Sequence, residues 1–124
     1  ALQVRREKTL TEACQQALYN LIDAPLGVEV DLDSISLMPV SAYTNCGFSV
    51  SDAEHFVHLA ASQVNSQYLH LCEAAPNQHP SGIQAGMSDA GQIITNYLRI
   101  LLVMHINHTA DQTTNMALMT EISC

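Results

Sequence analysis

Asp31 and Asp33 stand one residue apart inside Val28-Glu29-Val30-Asp31-Leu32-Asp33. Apolar and acidic residues alternate up to this point, which predicts a strand over 28–33 that ends in two carboxylates. Side chains two apart on a strand point to the same face. The pair therefore reads as two like charges held close, which repel unless a cation or solvent lies between them. Hard oxygen donors at the carboxyl end of a strand, where open α/β sheets place their ligands, suit a divalent metal. A solvated acidic strand end has the same appearance, so the motif alone leaves both readings open.

The elements around the pair are legible from pattern. Thr9-Leu10-Thr11-Glu12 has the form of a capping box. Leu10, Ala13, Cys14, Ala17, Leu18, Leu21 and Ile22 then recur at three-and-four spacing, predicting a helix that Asp23-Ala24-Pro25 and Gly27 stop. Residues 34–49 carry Pro39, Asn45 and Gly47 without a helical period and read as a long loop, a kind that is usually functional. Ser51-Asp52-Ala53-Glu54 resembles a second capping box, opening a helix whose buried side includes Phe56, Val57, Leu59 and Ala60.

Tyr68 to Cys72 reads as the next strand, and the alternation of helix and strand predicts an α/β fold with a parallel sheet flanked by helices. Residues 74–86 form a second loop, after which Ser88 or Asp89 is expected to cap a third helix with Ile93, Tyr97, Leu98 and Leu101 on its apolar face. Beyond Ile106 the period fades, leaving 107–124 as a weak final helix or strand. Leu18, Leu21, Phe56 and Leu98 are the residues expected to be buried where helices cover the sheet.

Other residues that could do chemistry give weaker patterns. His55 with His58, and His105 with His108, are near enough on helices to share an ion, but each also suits an ordinary surface role. His70 lies inside a strand and is expected to be a hydrogen-bonded core residue. Cys14, Cys46, Cys72 and Cys124 include no Cys-x-x-Cys pair and read as reduced thiols, Cys14 and Cys72 as small hydrophobes. Cys46-Gly47 in the long loop leaves a small thiol enzyme as a remote alternative. No Gly-x-Ser-x-Gly, Gly-x-Gly-x-x-Gly or Walker loop is present. Asn107-His108-Thr109 matches a glycosylation acceptor, a triplet that is usually accidental without a signal sequence.

The order Asp31-Leu32-Asp33-Ser34-Ile35, a loop with Pro39, Ser41, Ala42 and Gly47, a helix from Ser51, and then Tyr68-Leu69-His70-Leu71-Cys72-Glu73-Ala74-Ala75-Pro76 carries a family likeness. It resembles the carboxyl-terminal half of the ureohydrolases, the arginase, agmatinase and formimidoylglutamase family, and is most similar to the formimidoylglutamase branch. The likeness runs from about Val28 to the helix around Gln92 to Leu102. It implies a three-layer αβα domain, a binuclear Mn2+ site with Asp31 and Asp33 as ligands, and Glu73 holding the amidino group of a small guanidino or formimino substrate. The implied reaction is hydrolysis of a linear amidine C–N bond by hydroxide generated on the metal pair, with Asp31 and Asp33 as its catalytic residues.

If the strands ending at Asp33 and Cys72 are parallel neighbours, their carboxyl ends bring Asp31, Asp33 and Glu73 to one crevice. The sequence departs from the family in two places. The family loop has a proline near the position of Leu37, whereas here the first proline after the Asp pair is Pro39. The family's other ligands lie in an upstream Asp-x-His-x-Asp run, and none occurs in this chain. The remaining ligands are therefore expected from a missing amino-terminal half or through a homo-oligomer. A non-catalytic assembly or regulatory domain on the same fold is the alternative.

With 124 residues, 13.5 kDa and 48% hydrophobic content, the chain reads as a single partial domain over residues 1–124. Twelve acidic residues against four basic ones give a formal charge of -8, which argues against nucleic acid or an anionic membrane as partner. Residues 1–8 show no apolar signal segment, and the apolar run from Ile93 to Ile106 is interrupted and short for a bilayer. The expected location is cytoplasmic.

Overall fold

The computed structural model describes residues 9–63 and 65–122, with side chains to residue 110. It is a mixed α/β structure in which three helices accompany a two-stranded parallel sheet. Helix α1 spans Leu10–Tyr19 and begins with the expected capping box: the Thr9 hydroxyl accepts from the Glu12 amide while the Glu12 carboxylate accepts from the Thr9 amide at 2.9 Å. The helix stops at Asn20, short of the apolar stripe's end, so Leu21 and Ile22 fall in a turn and are 43% and 60% exposed. The Asn65 side chain donates to the Leu21 and Ala24 carbonyls and ties this turn to the connection before the second strand.

Strand β1, Leu26–Asp31, alternates as expected: Leu26, Val28 and Val30 are buried, and Gly27, Glu29 and Asp31 are exposed. It lies two residues earlier in sequence than the predicted strand over 28–33. Strand β2, Ser66–Cys72, runs parallel beside it, with Val30 opposite Leu71 and Asp31 opposite Cys72. His70 is on the solvent side, paired with Glu29 at 3.1 Å, and not in the core as its position within a strand suggested.

Helix α2 spans Val50–Ala61 and is capped by Ser49 rather than Ser51. The Ser49 hydroxyl accepts from the Asp52 amide, and Asp52 accepts from the Ser49 amide at 3.2 Å. Both serines are followed three residues later by an acid, so the local pattern is satisfied twice. Starting at Val50 adds one more residue to the buried side, where Ala53, Val57, Ala60 and Ala61 also lie. Helix α1 leans on α2, with Thr11 and His55 2.9 Å apart.

Helix α3 is much longer than its pattern suggested, running from Ile83 to Ile122 through the polar residues beyond Ile106. Its start precedes Ser88 and Asp89, which lie inside the helix. Asp89 instead pairs with His79 at 3.2 Å. Gly82, at φ 91°, makes the break before the helix. Gly86 lets the first turn close on the 3-10 turn Pro76–Gln78, since a methyl there would sit 2.1 Å from the Pro76 carbonyl oxygen.

Residues 34–49 are far from loose. Leu32, Ile35, Met38 and Val40 form one core cluster with Val57 of α2 and Ile93 and Tyr97 of α3. Leu18 and Phe56 are half-buried, but Leu98 is 54% exposed, so the expected burial of Leu21 and Leu98 does not hold. Tyr97 rather than Leu98 carries the inward face of α3. Among the described residues, no helix is long and apolar enough to cross a membrane.

Tyr97 is fully buried, and its hydroxyl has no hydrogen-bond partner among the described residues. Burial, with a smaller contribution from Glu54, pushes its ionisation up to about 12 from 10.0. The unfolded chain therefore loses this proton near pH 10 while the folded chain keeps it to about 12, so this contribution to stability is intact below pH 10 and lost as pH rises through that interval. Urea midpoints measured across this range should fall for the natural chain and fall less for Tyr97→Phe. At pH 7 Tyr97→Phe should be no less stable, because it removes a buried hydroxyl whose lack of a partner costs about 1–3 kcal/mol.

Candidate active site at the carboxyl ends of the parallel strands

The parallel pairing places Asp31 at the end of β1 opposite Cys72, with Glu73 one residue beyond β2. Asp33 does not sit on the strand. The chain leaves β1 at Asp31 and enters a 3-10 turn over Leu32–Ser34, so the same-face argument from strand alternation does not hold for this pair. The turn itself ties the Asp31 carboxylate to the backbone of Asp33. Asp31 Oδ1 accepts the Asp33 amide at 2.9 Å, and the Ser34 hydroxyl donates to the Asp31 carbonyl at 2.6 Å.

The turn is anchored from the far side of the long loop. Phe48 donates to the Ser34 carbonyl at 2.9 Å, and its own carbonyl accepts the Ser36 amide at 2.8 Å. Gly47 passes so close that an added methyl would lie 2.3 Å from the Ser34 carbonyl oxygen, which leaves room only for glycine.

A second part of that loop reaches across to Glu73. Pro39 accepts the Ala75 amide at 2.8 Å, and Val40 bridges Ala74 in antiparallel fashion. The Ser41 hydroxyl then donates to Glu73 Oε2 at 3.2 Å, and the Ala42 amide makes a long contact of 3.5 Å with Asp33 Oδ1. The strap from Pro39 to Ala42 thus touches both sides of the crevice. In the sequence its serine stands only as one residue of the family-like loop, because a lone Ser in a loop does not show its partner.

Glu73 has φ 66°, in the left-handed region that side chains rarely occupy. Asp31 and Glu73 are exposed and Asp33 is partly buried. Among the described residues, no ion pair neutralises any of the three, the only such pairs being His70 with Glu29 and His79 with Asp89. Their joint field is felt at the Cys72 thiol, whose ionisation is raised first by loss of solvent and then by Asp31, Glu29, Glu73 and Asp33. Cys14 is also raised, by burial alone, and no disulfide joins the described cysteines.

The donor chemistry fits a hard divalent cation, because Asp31 and Asp33 each retain a second carboxylate oxygen beyond those already accepting amides. The donor count falls short: among the described residues no three His, Cys, Asp or Glu side chains are grouped to hold a metal. The two histidine pairs do not change this. His55 meets Thr11, and His108 meets the Ser62 carbonyl at 3.1 Å. A cavity of about 520 Å³ lies between α1, α2 and β1, with Asp31 in its lining and mainly apolar walls including Cys14, Leu18, Val28 and Phe56. Asp33 and Glu73 do not line it.

No family model and no curated protein matches the chain. Its structure is similar to that of Entamoeba histolytica arginase in complex with L-ornithine, with a TM-score of 0.62 at 15% sequence identity. The match covers 79% of this chain and 32% of the arginase chain, so the present chain spans about a third of that protein. The fold is therefore an arginase-like α/β fragment.

A residue held at positive φ costs about 1 kcal/mol or more unless it is glycine. Glu73→Gly should consequently raise the urea midpoint, by an amount equivalent to about 1 kcal/mol, while deleting the carboxylate from the crevice. Equilibrium unfolding of the two chains checks this, and a clear loss of stability in the glycine variant would count against strain at Glu73.

Proposed function

We propose that this chain is the carboxyl-terminal part of a ureohydrolase-type enzyme, a manganese-dependent hydrolase of linear amidine or formimino C–N bonds, closest in kind to formimidoylglutamase. The observation that carries this reading is that Asp31, at the end of β1, Asp33, in the 3-10 turn that follows, and Glu73, just beyond β2, lie at the same edge of two adjacent parallel strands in an arginase-like fold, with no cation paired to them among the described residues. Asp31 and Asp33 would hold manganese through the oxygens left over from the 3-10 turn. The metal pair, when bound, supplies an acidified water at neutral pH. The remaining ligands come from outside the described residues, on the amino-terminal portion of the domain or on another subunit.

Glu73 would face the cationic amidino or formimino group of the substrate. A carboxylate matches such a planar donor group by charge-assisted hydrogen bonds. Its position one residue past β2, across the crevice from the Asp pair, supports a role in orienting the substrate's central carbon toward the metals.

In the complete protein, Asp31→Ala or Asp33→Ala should abolish both bound manganese and turnover of formimidoylglutamate or L-arginine. Glu73→Gln should leave metal content nearly intact and mainly raise KM. Metal analysis alongside steady-state kinetics separates these effects. The 124-residue chain alone should bind manganese weakly and hydrolyse neither substrate, since two carboxylates without imidazole partners hold a divalent ion loosely. Robust manganese-dependent release of formamide or urea by that chain would overturn the partial-site reading. A complete protein that binds no manganese would instead favour a non-catalytic role for the fold.

A further inference from the structure

We propose that Ser41 is a positioning residue for the substrate-binding carboxylate of Glu73: its hydroxyl holds Glu73 Oε2 and leaves Oε1 to face the cationic group of the substrate. This inference rests on the reading of Glu73 given above and adds to it the residue that fixes its side chain.

Three observations support the assignment. Ser41 Oγ lies 3.2 Å from Glu73 Oε2, and Ser41 is the one described side chain that donates to that carboxylate. The serine's neighbours are tethered on both sides: Val40 is buried and bridges Ala74, while the Ala42 amide makes the long contact of 3.5 Å with Asp33 Oδ1. Glu73 in turn begins from a left-handed backbone held by the same strap, through the Val40 bridge and the hydrogen bond from Ala75 to Pro39. Backbone and carboxylate of Glu73 are thus both fixed by the segment from Pro39 to Ala42.

A glutamate side chain has three rotatable bonds, and an exposed one samples many rotamers. Fixing one oxygen removes much of that freedom before the substrate arrives, and a preorganised acceptor binds its cation with less entropy lost. The hydroxyl donates to one oxygen and has no charge of its own, so it orients the carboxylate without neutralising it.

The test is steady-state kinetics on the complete protein with formimidoylglutamate and L-arginine, comparing Ser41→Ala, Ser41→Thr and Glu73→Gln and measuring manganese content for each. Ser41→Ala should raise KM about tenfold, the factor expected for one charge-assisted hydrogen bond, with kcat changed less than about twofold and metal content unaltered. Ser41→Thr retains the hydroxyl and should restore most of the loss. An unchanged KM in Ser41→Ala, alongside a raised KM in Glu73→Gln, would overturn the role of Ser41 and leave that of Glu73 standing. An unchanged KM in Glu73→Gln would remove the substrate role of Glu73 itself, and with it this inference. Loss of manganese or equal loss of kcat in Ser41→Ala, or no recovery in Ser41→Thr, would show that Ser41 only supports the loop and would also overturn the proposal.

Discussion

Parallel pairing between β1 and β2 is the constraint from which the rest follows. Parallel strands present the same end on the same side, so the residues at the two carboxyl termini, Asp31 on one and Glu73 just beyond the other, must emerge together. An antiparallel hairpin of the same segments would send them to opposite ends. The crossover that parallel pairing demands includes α2, whose inward residues are Ala53, Val57 and Ala60. Solvent reaches the exposed Asp31 and Glu73 and screens the repulsion of the acidic groups.

The segment between the strand and α2 has two tasks that conflict in most loops. It contributes Leu32, Ile35, Met38 and Val40 to the core, and it also carries the polar strap across the carboxylates. Burial of its apolar residues, each worth about 1.5–3 kcal/mol when fully withdrawn from water, offsets the unfavourable backbone at Leu37 and Glu73. Strain tends to collect at sites where a side chain must be aimed rather than merely packed. Here both strained residues flank the same strap.

Much of this was legible in the sequence, and the failures have definite causes. The capping box at Thr9, both strands and their parallel order follow from spacing alone, because burial of one face forces a period on the residues. The ends of elements were less legible. Ser49 and Ser51 both head an acceptable capping pattern, and only contact with the core selects the first. Gly82 and Gly86 suggested a loop, although one is a break and the other a point of close helix packing. The local geometry of the candidate residues was not legible: Asp31 and Asp33 are joined through a 3-10 turn, which hydrophobic period cannot reveal. Ser41 stood in the sequence only as one residue of a loop, because its partner Glu73 lies 32 positions away and only the fold brings them together.

Leu37 ties the long loop to itself. Its φ of 64° and its amide, which donates to the Thr44 carbonyl at 2.9 Å, are both forbidden to proline, whose φ stays near −65° and whose nitrogen has no hydrogen. A proline at residue 37 would thus open the inner ring that closes on Thr44, while the bonds of Ser34 and Ser36 with Phe48 would still close the outer one. The loop is a ring within a ring, and its two closures answer to different residues.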